Sequence, residues 1–338
     1  MVWLWIALAA VLAAALLLLG AAVFFFKFSI RRYRKERADE QYEEADSIWN
    51  PFAPRMKEAQ AYIRAHTREK VKLTSFDGLE LAALYLPVER PRGTVIAFHG
   101  YRSLATIDFA LEVEFLHRLG YDVLLPYQRS HGESQGKYIT YGVKERFDCQ
   151  SWARYAARRW GDRPLFLMGI SMGAATVLMA SGLELPPNTR GIVADCGFTT
   201  PWDIMAHVAR RDYKLPRALL WVLLSLLDLL ARAAAGFSLK GADTRQALAH
   251  TQLPVLFLHG EKDDFVPVSM TEENYHACAS PKALRLVPGA EHAQSFGVDT
   301  PGCEETIQRF LEVPGVGRRA QKYFSAPGGE WIANPHRI

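Results

Sequence analysis

Cysteine is scarce in this sequence. Its 338 residues include four cysteines, Cys149, Cys196, Cys278 and Cys303. Four cysteines scattered over this length are too few for a disulfide framework, and no pair has the close spacing of a zinc site. The sequence therefore excludes a small disulfide-rich scaffold and gives no sign of a structural zinc domain.

A basic face is also missing. The formal net charge is +4, from 40 Lys and Arg against 36 Asp and Glu. Residues 27–37 hold six basic residues and one acidic residue, so this short segment alone accounts for the excess. Because nucleic-acid-binding proteins spread basic side chains over a surface, we expect no nucleic-acid partner.

A long uncharged run opens the chain. Residues 2–26 include no Asp, Glu, Lys or Arg. As a helix this run would extend about 37 Å, enough to cross a hydrocarbon core about 30 Å thick. A cleaved signal peptide needs basic residues before a shorter apolar core, and this sequence has neither. We predict an uncleaved transmembrane anchor over residues 1–28, with a cleaved signal peptide and a buried core helix as the alternatives.

The charges beside this run predict its orientation. All six basic residues of the cluster lie on the C-terminal side of the run. Because positively charged flanks stay in the cytoplasm, we predict a single-pass protein of the cell membrane whose catalytic domain is cytoplasmic. Residues 29–69 mix basic and acidic side chains, so we expect a charged juxtamembrane stalk there.

From residue 70 onward, short apolar runs alternate with segments of helical spacing. The runs predict strands at 71–76, 79–86, 94–98, 121–126, 165–170, 191–195, 254–259 and 283–287. Strands that are apolar on both faces and separated by helices are typical of a mostly parallel sheet covered on both sides. We therefore predict one α/β domain over residues 70–312, followed by a C-terminal tail over 313–338.

A serine lies where such a sheet places its chemistry, at the carboxyl end of a strand. The sequence GISMG at residues 169–173 matches the pattern G-x-S-x-G between a predicted strand and a predicted helix. A serine on this sharp turn is exposed at the end of the sheet. The pattern predicts that Ser171 is a nucleophile; the alternative is a packing turn.

A serine nucleophile needs a base, and the base needs a group that orients it. Asp263 follows the predicted strand at 254–259, and His292 follows the one at 283–287. The chain order Ser, Asp, His is the order of this hydrolase architecture. We predict His292 as the base and Asp263 as its partner, with Asp264 as the rival acid.

An oxyanion hole needs two N–H donors near the nucleophile. The residue after the serine, Met172, supplies one backbone N–H, and the loop after the predicted strand at 94–98 supplies the other. We predict Tyr101 as the second donor because Gly100 allows this loop to approach closely. For His99 we favour a structural role in bracing the same loop.

At this point the sequence resembles the α/β-hydrolase superfamily. The resemblance covers about residues 70–312 and is closest to bacterial membrane-anchored hydrolases of the serine aminopeptidase-like or prolyl-oligopeptidase-like group. It rests on HGY at 99–101, RSHGES at 129–134, GISMG at 169–173, the Asp263 loop and EH at 291–292. The resemblance implies an eight-stranded sheet, with its first two strands as an antiparallel edge, and a Ser-His-Asp triad.

The chain departs from the family pattern Asp-x-Arg-Gly-His-Gly-x-Ser in one loop. Ser130 stands in the position of the first Gly. This change leaves the triad intact and bears on the substrate side of the site. The family includes enzymes that cleave esters, thioesters and amides, so the resemblance does not fix the substrate.

A long insert separates the sixth and seventh predicted strands, over about residues 199–251. Residues 219–230 read LLWVLLSLLDLL, too short for a second membrane span. In this fold the position of the insert commonly holds a helical cap. Three interpretations stay open for the apolar segment: a cap helix that lines an acyl pocket, an interfacial helix that touches the bilayer, and an ordinary core helix.

Together these features predict a membrane-anchored acyl hydrolase that cleaves a hydrophobic carboxylic ester and needs no metal or organic cofactor. The first alternative is a peptidase of the same fold. Acidic residues of the enzyme such as Glu133, Glu261 or Asp264 would then bind the amine of its peptide substrate. The second alternative is a catalytically silent, membrane-tethered binding protein.

Overall fold

A mostly parallel sheet forms the centre of the protein. The computed structural model describes residues 1–32 and 50–312 together with the backbone of 331–332. The strands are β1 (Glu69–Thr74), β2 (Glu80–Leu86), β3 (Gly93–Phe98), β4 (Tyr121–Pro126), β5 (Leu165–Ile170), β6 (Thr189–Asp195), β7 (Val255–Gly260), β8 (Lys282–Val287) and β9 (Trp331–Ile332). Their order across the sheet is β1-β2-β4-β3-β5-β6-β7-β8-β9.

The directions of the strands agree with the expected architecture. β2 pairs antiparallel with both β1 and β4, and every later pair is parallel. β1 and β2 form the hairpin that the sequence predicted at one edge. The sheet has one strand more than the expected eight, because β9 pairs with β8 from within the predicted tail. The rest of that tail lies outside the described residues.

Helices cover both faces of the sheet. In chain order they are α1 (Val2–Phe25), α2 (Ala53–His66), α3 (Ala105–Asp108), α4 (Ala110–Arg118), α5 (Glu145–Trp160), α6 (Met172–Ala180), α7 (Pro201–Tyr213), α8 (Arg217–Leu230), α9 (Thr244–Leu248), α10 (Val268–Ala277), α11 (Ser295–Val298) and α12 (Thr300–Glu312). A turn of π-helix extends α1 over Phe26–Ile30 and another extends α8 over Ala231–Ala235.

The two faces of β3 show how the core divides. Val95 and Ala97 belong to a cluster with side chains of α2, α4 and α12. Ile96 and Phe98 belong to a second cluster with side chains of α5, α6 and α10. Successive residues of a strand point to opposite faces, so a strand buried on both sides must be apolar throughout. This requirement explains the uninterrupted apolar runs of the sequence.

Helix α2 corrects part of the predicted stalk. Met56 and Ile63 are buried in the core cluster beside α4, so residues 53–66 belong to the folded domain and not to a solvated linker. Sequence reasoning missed this helix because its buried residues are few and its composition is polar. The charged part of the stalk at 33–49 lies outside the described residues.

The insert between β6 and β7 forms a cap from α7 and α8. The apolar face of α8 is buried with Leu220, Leu224 and Leu227 in a cluster that includes Met172 beside the sheet. α9 lies within the range 199–251 predicted for the cap, but its Leu248 is buried in the core against the sheet. The cap proper therefore ends before α9.

Among the residues that the structure describes, two helices have the length and composition of membrane spans, Val2–Ile30 and Arg217–Ala235. The first has a mean hydropathy of 2.8 and is 6% buried, whereas the second has a mean hydropathy of 1.9 and is 39% buried. Asp228 of α8 accepts hydrogen bonds from Ser238 and from the backbone N–H of Leu239. These contacts fix the second helix in the cap. Only the first helix projects from the domain as an anchor would.

We expect Ile63→Ala to lower the free energy of unfolding by about 2–4 kcal/mol, because the change removes a side chain that is 1% exposed and leaves a cavity between α2 and the core. The measurement is denaturant unfolding of the full chain in detergent. Arg64→Ala, at an exposed neighbouring position, is the matched control. Equal stability of the two variants would mean that α2 does not stabilise the domain.

Candidate active site

Ser171 lies on a strained turn between β5 and α6. Its φ is 55° and its ψ is −115°, in a region that L-residues with side chains rarely adopt. A Cβ at Gly173 would lie 1.8 Å from the carbonyl oxygen of Phe98, and one at Gly169 would lie 2.3 Å from that of Gly173. Both glycines are therefore required for the close approach that holds the turn. The N-terminus of α6 meets this turn with its positive dipole end.

The structure brings Ser171, His292 and Asp263 together from three loops. The Oγ–H of Ser171 points to Nε2 of His292 at 2.9 Å, and Nδ1–H of His292 donates to Oδ2 of Asp263 at 2.7 Å. The side chain of Asp264 is 87% exposed and contacts Arg211 instead. Of the two candidate acids, Asp263 is the one in contact with the imidazole.

Asp263 is held as a carboxylate. Burial disfavours its charge, but hydrogen bonds from His259 and His292 outweigh burial and hold the pKa of Asp263 well below its usual range. Its Oδ1 also accepts the backbone N–H groups of Phe265 and Val266 at 3.0 and 2.9 Å. Sequence reasoning missed the role of His259, whose only signal was its position at the end of β7.

Two backbone N–H groups are available beside Ser171. Tyr101 and Met172 were the predicted oxyanion donors. Within residues 1–32 and 50–312, neither backbone N–H has a hydrogen-bond acceptor. The loop that carries Tyr101 passes close to the nucleophile, since a Cβ at Gly100 would lie 3.4 Å from the Cβ of Ser171. The two N–H groups are therefore the candidate donors to a negative charge that develops next to Ser171.

A buried carboxyl group, Asp108, holds this loop. Its Oδ2 accepts the backbone N–H of Gly100 at 2.6 Å, and its Oδ1 accepts the hydroxyl of Ser103 at 2.6 Å. Burial raises the pKa of Asp108 to about 6, although both hydrogen bonds oppose the shift. Sequence reasoning missed this contact, because Asp108 lies in a segment whose only local feature is helical spacing.

The loop that departs from the family pattern braces the same region. The imidazole of His99 donates from Nδ1 to the carbonyl of Gly100 and accepts the backbone N–H of Gln128 at Nε2. The amide of Gln128 in turn donates to the carbonyl of His99. Burial holds the pKa of His99 well below its usual value, so the ring stays neutral. The structure thus gives His99 the bracing contacts expected for it.

One group of side chains near the triad has the types of ligand that bind metals. Cys196, Asp263 and His292 have ligand atoms within 4.8 Å of one another. However, Asp263 and His292 are hydrogen-bonded to each other, and burial raises the pKa of the Cys196 thiol well above its usual value. Metal binding needs a thiolate, so this group is a poor metal site.

An apolar cavity of about 330 Å³ lies directly above Ser171. Its walls come from α7 and α8 of the cap, from the end of α1, and from the loops that carry Tyr101, Tyr141 and Phe265. Arg102 and Asp212 are its charged lining residues. A second cavity of about 360 Å³ lies between α7, α8 and α10 and includes none of the triad residues. The first cavity is therefore the candidate binding site.

Comparisons with known proteins agree with this fold. A family model described as serine aminopeptidase, S33, matches residues 89–230. The chain is 29% identical over 238 residues to the uncharacterized protein YqkD of Bacillus subtilis (strain 168), covering 69% of this chain and 76% of YqkD. It is 25% identical over 237 residues to the uncharacterized protein YfhR of Escherichia coli (strain K12), covering 68% and 74%.

Solved structures show the same fold. An esterase of Pyrococcus furiosus superposes with a TM-score of 0.58 at 23% identity, covering 74% of this chain and 91% of the esterase. Alpha/beta hydrolase domain-containing protein 10 from mouse gives a TM-score of 0.55 at 21% identity, covering 72% and 98%. At these identities the likeness establishes the fold.

The contacts of Asp108 generate a prediction about the loop of Tyr101. We expect Asp108→Asn to slow the reaction of Ser171 with a fluorophosphonate probe by about 10-fold or more, because an amide cannot accept both hydrogen bonds and the N–H of Tyr101 then loses its position. The measurement is the second-order rate constant of labelling. Ser103→Ala removes only one of the two bonds and should have a smaller effect. Equal labelling rates in wild type and Asp108→Asn would show that Asp108 does not hold the loop of Tyr101 in position.

Proposed function

We propose that this chain belongs to the α/β-hydrolase superfamily, whose fold it shares, and that it is a membrane-anchored serine hydrolase that cleaves carboxylic esters with an apolar acyl group. The hydrogen-bonded series Ser171, His292 and Asp263 at the floor of an apolar cavity carries this proposal. In it, Ser171 is the nucleophile, His292 is the general base and acid, and Asp263 orients the imidazole.

The reaction proceeds through an acyl-enzyme. Oγ of Ser171 attacks the acyl carbonyl carbon while its proton passes to Nε2 of His292, and the backbone N–H groups of Tyr101 and Met172 stabilise the oxyanion. The C–O bond to the alcohol then breaks, and His292 protonates the departing alcohol. Water gives a proton to His292 as its oxygen attacks the acyl carbon, and collapse of this second intermediate releases the acid and restores Ser171.

The lining of the cavity favours an ester over a peptide substrate. An aminopeptidase would need an acidic group to hold the substrate amine. Glu133 is paired with Lys70 and Asp264 with Arg211, while Glu261 is exposed, and none of these three acids lines the cavity. The acidic residue that does line it, Asp212, is paired with Arg211. An acyl chain, by contrast, finds apolar walls on α7 and α8.

The projecting helix α1 supports a membrane location for this enzyme. Its apolar length suits a span, and the basic cluster that follows it favours a cytoplasmic catalytic domain. In this arrangement the N-terminus lies outside the cell, and the hydrolase faces the inner leaflet.

We expect Ser171→Ala to lower ester turnover by about 10³-fold or more and to abolish fluorophosphonate labelling, because it removes the nucleophile while its Cβ still fits the turn. The measurement compares p-nitrophenyl esters of increasing acyl length with aminoacyl and prolyl p-nitroanilides. Faster cleavage of the anilides would favour the peptidase. No labelling or turnover by folded wild type would favour the silent binding protein.

The neighbouring acids provide a matched pair for the same assay. Asp263→Asn should lower turnover by about 10⁴-fold, because the imidazole then adopts the wrong tautomer. Asp264→Asn should change it little, since this carboxylate is exposed and paired with Arg211. The reverse ranking would transfer the orienting role to Asp264.

The orientation in the membrane can be tested with C-terminal fusions in bacteria. We expect an alkaline phosphatase fusion to be inactive and a fluorescent-protein fusion to be bright, because moving each basic residue outward against the potential costs about 2.3 kcal/mol per 100 mV. Neutral replacements of Arg31, Arg32, Arg34 and Lys35 should mix the two orientations. An active phosphatase fusion of the unaltered chain would place the enzyme on the outer face.

A further inference from the structure

The end of the N-terminal helix is built into the catalytic domain. Ala22 and Ile30 are 1% and 0% exposed, and Ile30 belongs, with Phe26, to the cluster that includes Met172 of the turn. The backbone of this segment pairs with the domain, since the N–H of Ile139 donates to the carbonyl of Ile30 at 2.7 Å. A helix that served only as a tether would need none of these contacts.

Two tyrosines of the active-site loops are tied to this segment. The hydroxyl groups of Tyr101 and Tyr141 both donate to the carbonyl oxygen of Ser29 at 2.9 Å. Arg102 donates to the carbonyl of Phe28 and stacks over its ring. The loop that carries the proposed oxyanion donor is therefore fastened to the end of the anchor.

The same segment forms a wall of the cavity above Ser171. Ala22, Phe25 and Phe28 line it together with leucines of α8, and α1 packs against α8 directly. We propose that the anchor is part of the acyl pocket, and that the substrate is a long-chain acyl ester that reaches the pocket from the bilayer. This inference rests on the proposed hydrolase function and adds to it the class of substrate and the route of access.

The length of the projecting helix places the pocket at the membrane surface. None of residues 2–21 is buried, whereas burial begins at Ala22. Twenty helical residues extend about 30 Å, which equals the thickness of the hydrocarbon core. When residues 2–21 span the bilayer, the pocket wall from Ala22 to Ser29 lies where the hydrocarbon ends. A long acyl chain can then pass from the leaflet into the pocket without crossing water.

The outer face of the cap is suited to the same surface. Trp221, Val222 and Leu229 of α8 are 51%, 46% and 61% exposed. Their helix packs beside α1, and Tyr213 of α7 contacts Phe25 of α1 ring to ring. Exposed aromatic and aliphatic side chains next to a membrane helix are typical of segments that lie in the interface. The exposed face of α8 thus continues the apolar surface of the anchor.

A chain-length assay on the full-length protein in detergent tests the wall. We expect Ala22→Trp to lower the ratio of kcat/KM for p-nitrophenyl palmitate over p-nitrophenyl acetate by at least about 10-fold, because one bulky group in an apolar pocket is worth that much discrimination. Leu223→Trp, at the part of the wall that α8 forms, should act in the same direction. Ala22→Leu is the milder variant to use if Ala22→Trp does not fold, and it should lower the same ratio by a smaller factor.

Leu17→Trp is the matched control, since it lies on the same helix within the projecting part, and its ratio should equal that of wild type. If Leu223→Trp lowers the ratio and neither Ala22 variant does, the anchor is not a wall of the pocket. A different result would contradict the proposed hydrolase function itself. In that case the wild-type protein would neither hydrolyse the acetate ester nor react with the fluorophosphonate.

Photolabelling tests the route from the bilayer. In vesicles that contain a diazirine-bearing phosphatidylcholine, we expect adducts on residues 2–21 and also on peptides with Trp221, Val222 and Leu229. Trp160, at the end of α5 where it stacks on Tyr85 of β2, should carry none above background. Adducts on residues 2–21 with none on α8 would contradict access from the membrane.

Discussion

The close packing of the turn at Ser171 against β3 is the constraint on which the rest of the site depends. Gly173 lies so near the carbonyl of Phe98 that no side chain fits between them, and Ser171 accepts a strained backbone as a result. This turn fixes the position of Oγ and the direction of α6. The loops of Tyr101, Asp263 and His292 then need only reach the same point at the end of the sheet.

Buried polar groups hold those loops in place. Asp263 is fixed by two histidines and two backbone N–H groups, and Asp108 fixes the loop of Tyr101 through Gly100. Each of these carboxyl groups gives up hydration that only well-placed donors can replace. The chemistry of the site is therefore supported by hydrogen bonds made before any substrate binds, which is the preorganisation that acyl transfer requires.

The N-terminal helix and the candidate active site are joined by several contacts, among them the carbonyl oxygen of Ser29, which accepts hydrogen bonds from Tyr101 and Tyr141. A helix end and a domain joined in this way cannot move independently. The apolar faces of α1 and α8 are consequently buried against each other and around the cavity. In the proposed enzyme, the location at the membrane and the choice of an apolar acyl group have the same structural origin.

The sequence by itself determined the alternation of strands and helices, the serine turn and the order of the acid and histidine, because these depend on local spacing and on strand ends. It favoured Asp263 over Asp264 as the acid that orients His292 but could not decide between them. It also missed helix α2 and the roles of His259 and Asp108. Those roles arise from contacts between residues far apart in the chain, such as Asp263 with His292. Only the tertiary structure brought Ala22 and Ser29 to the cavity, because a local apolar pattern specifies that a face is buried and not what it is buried against.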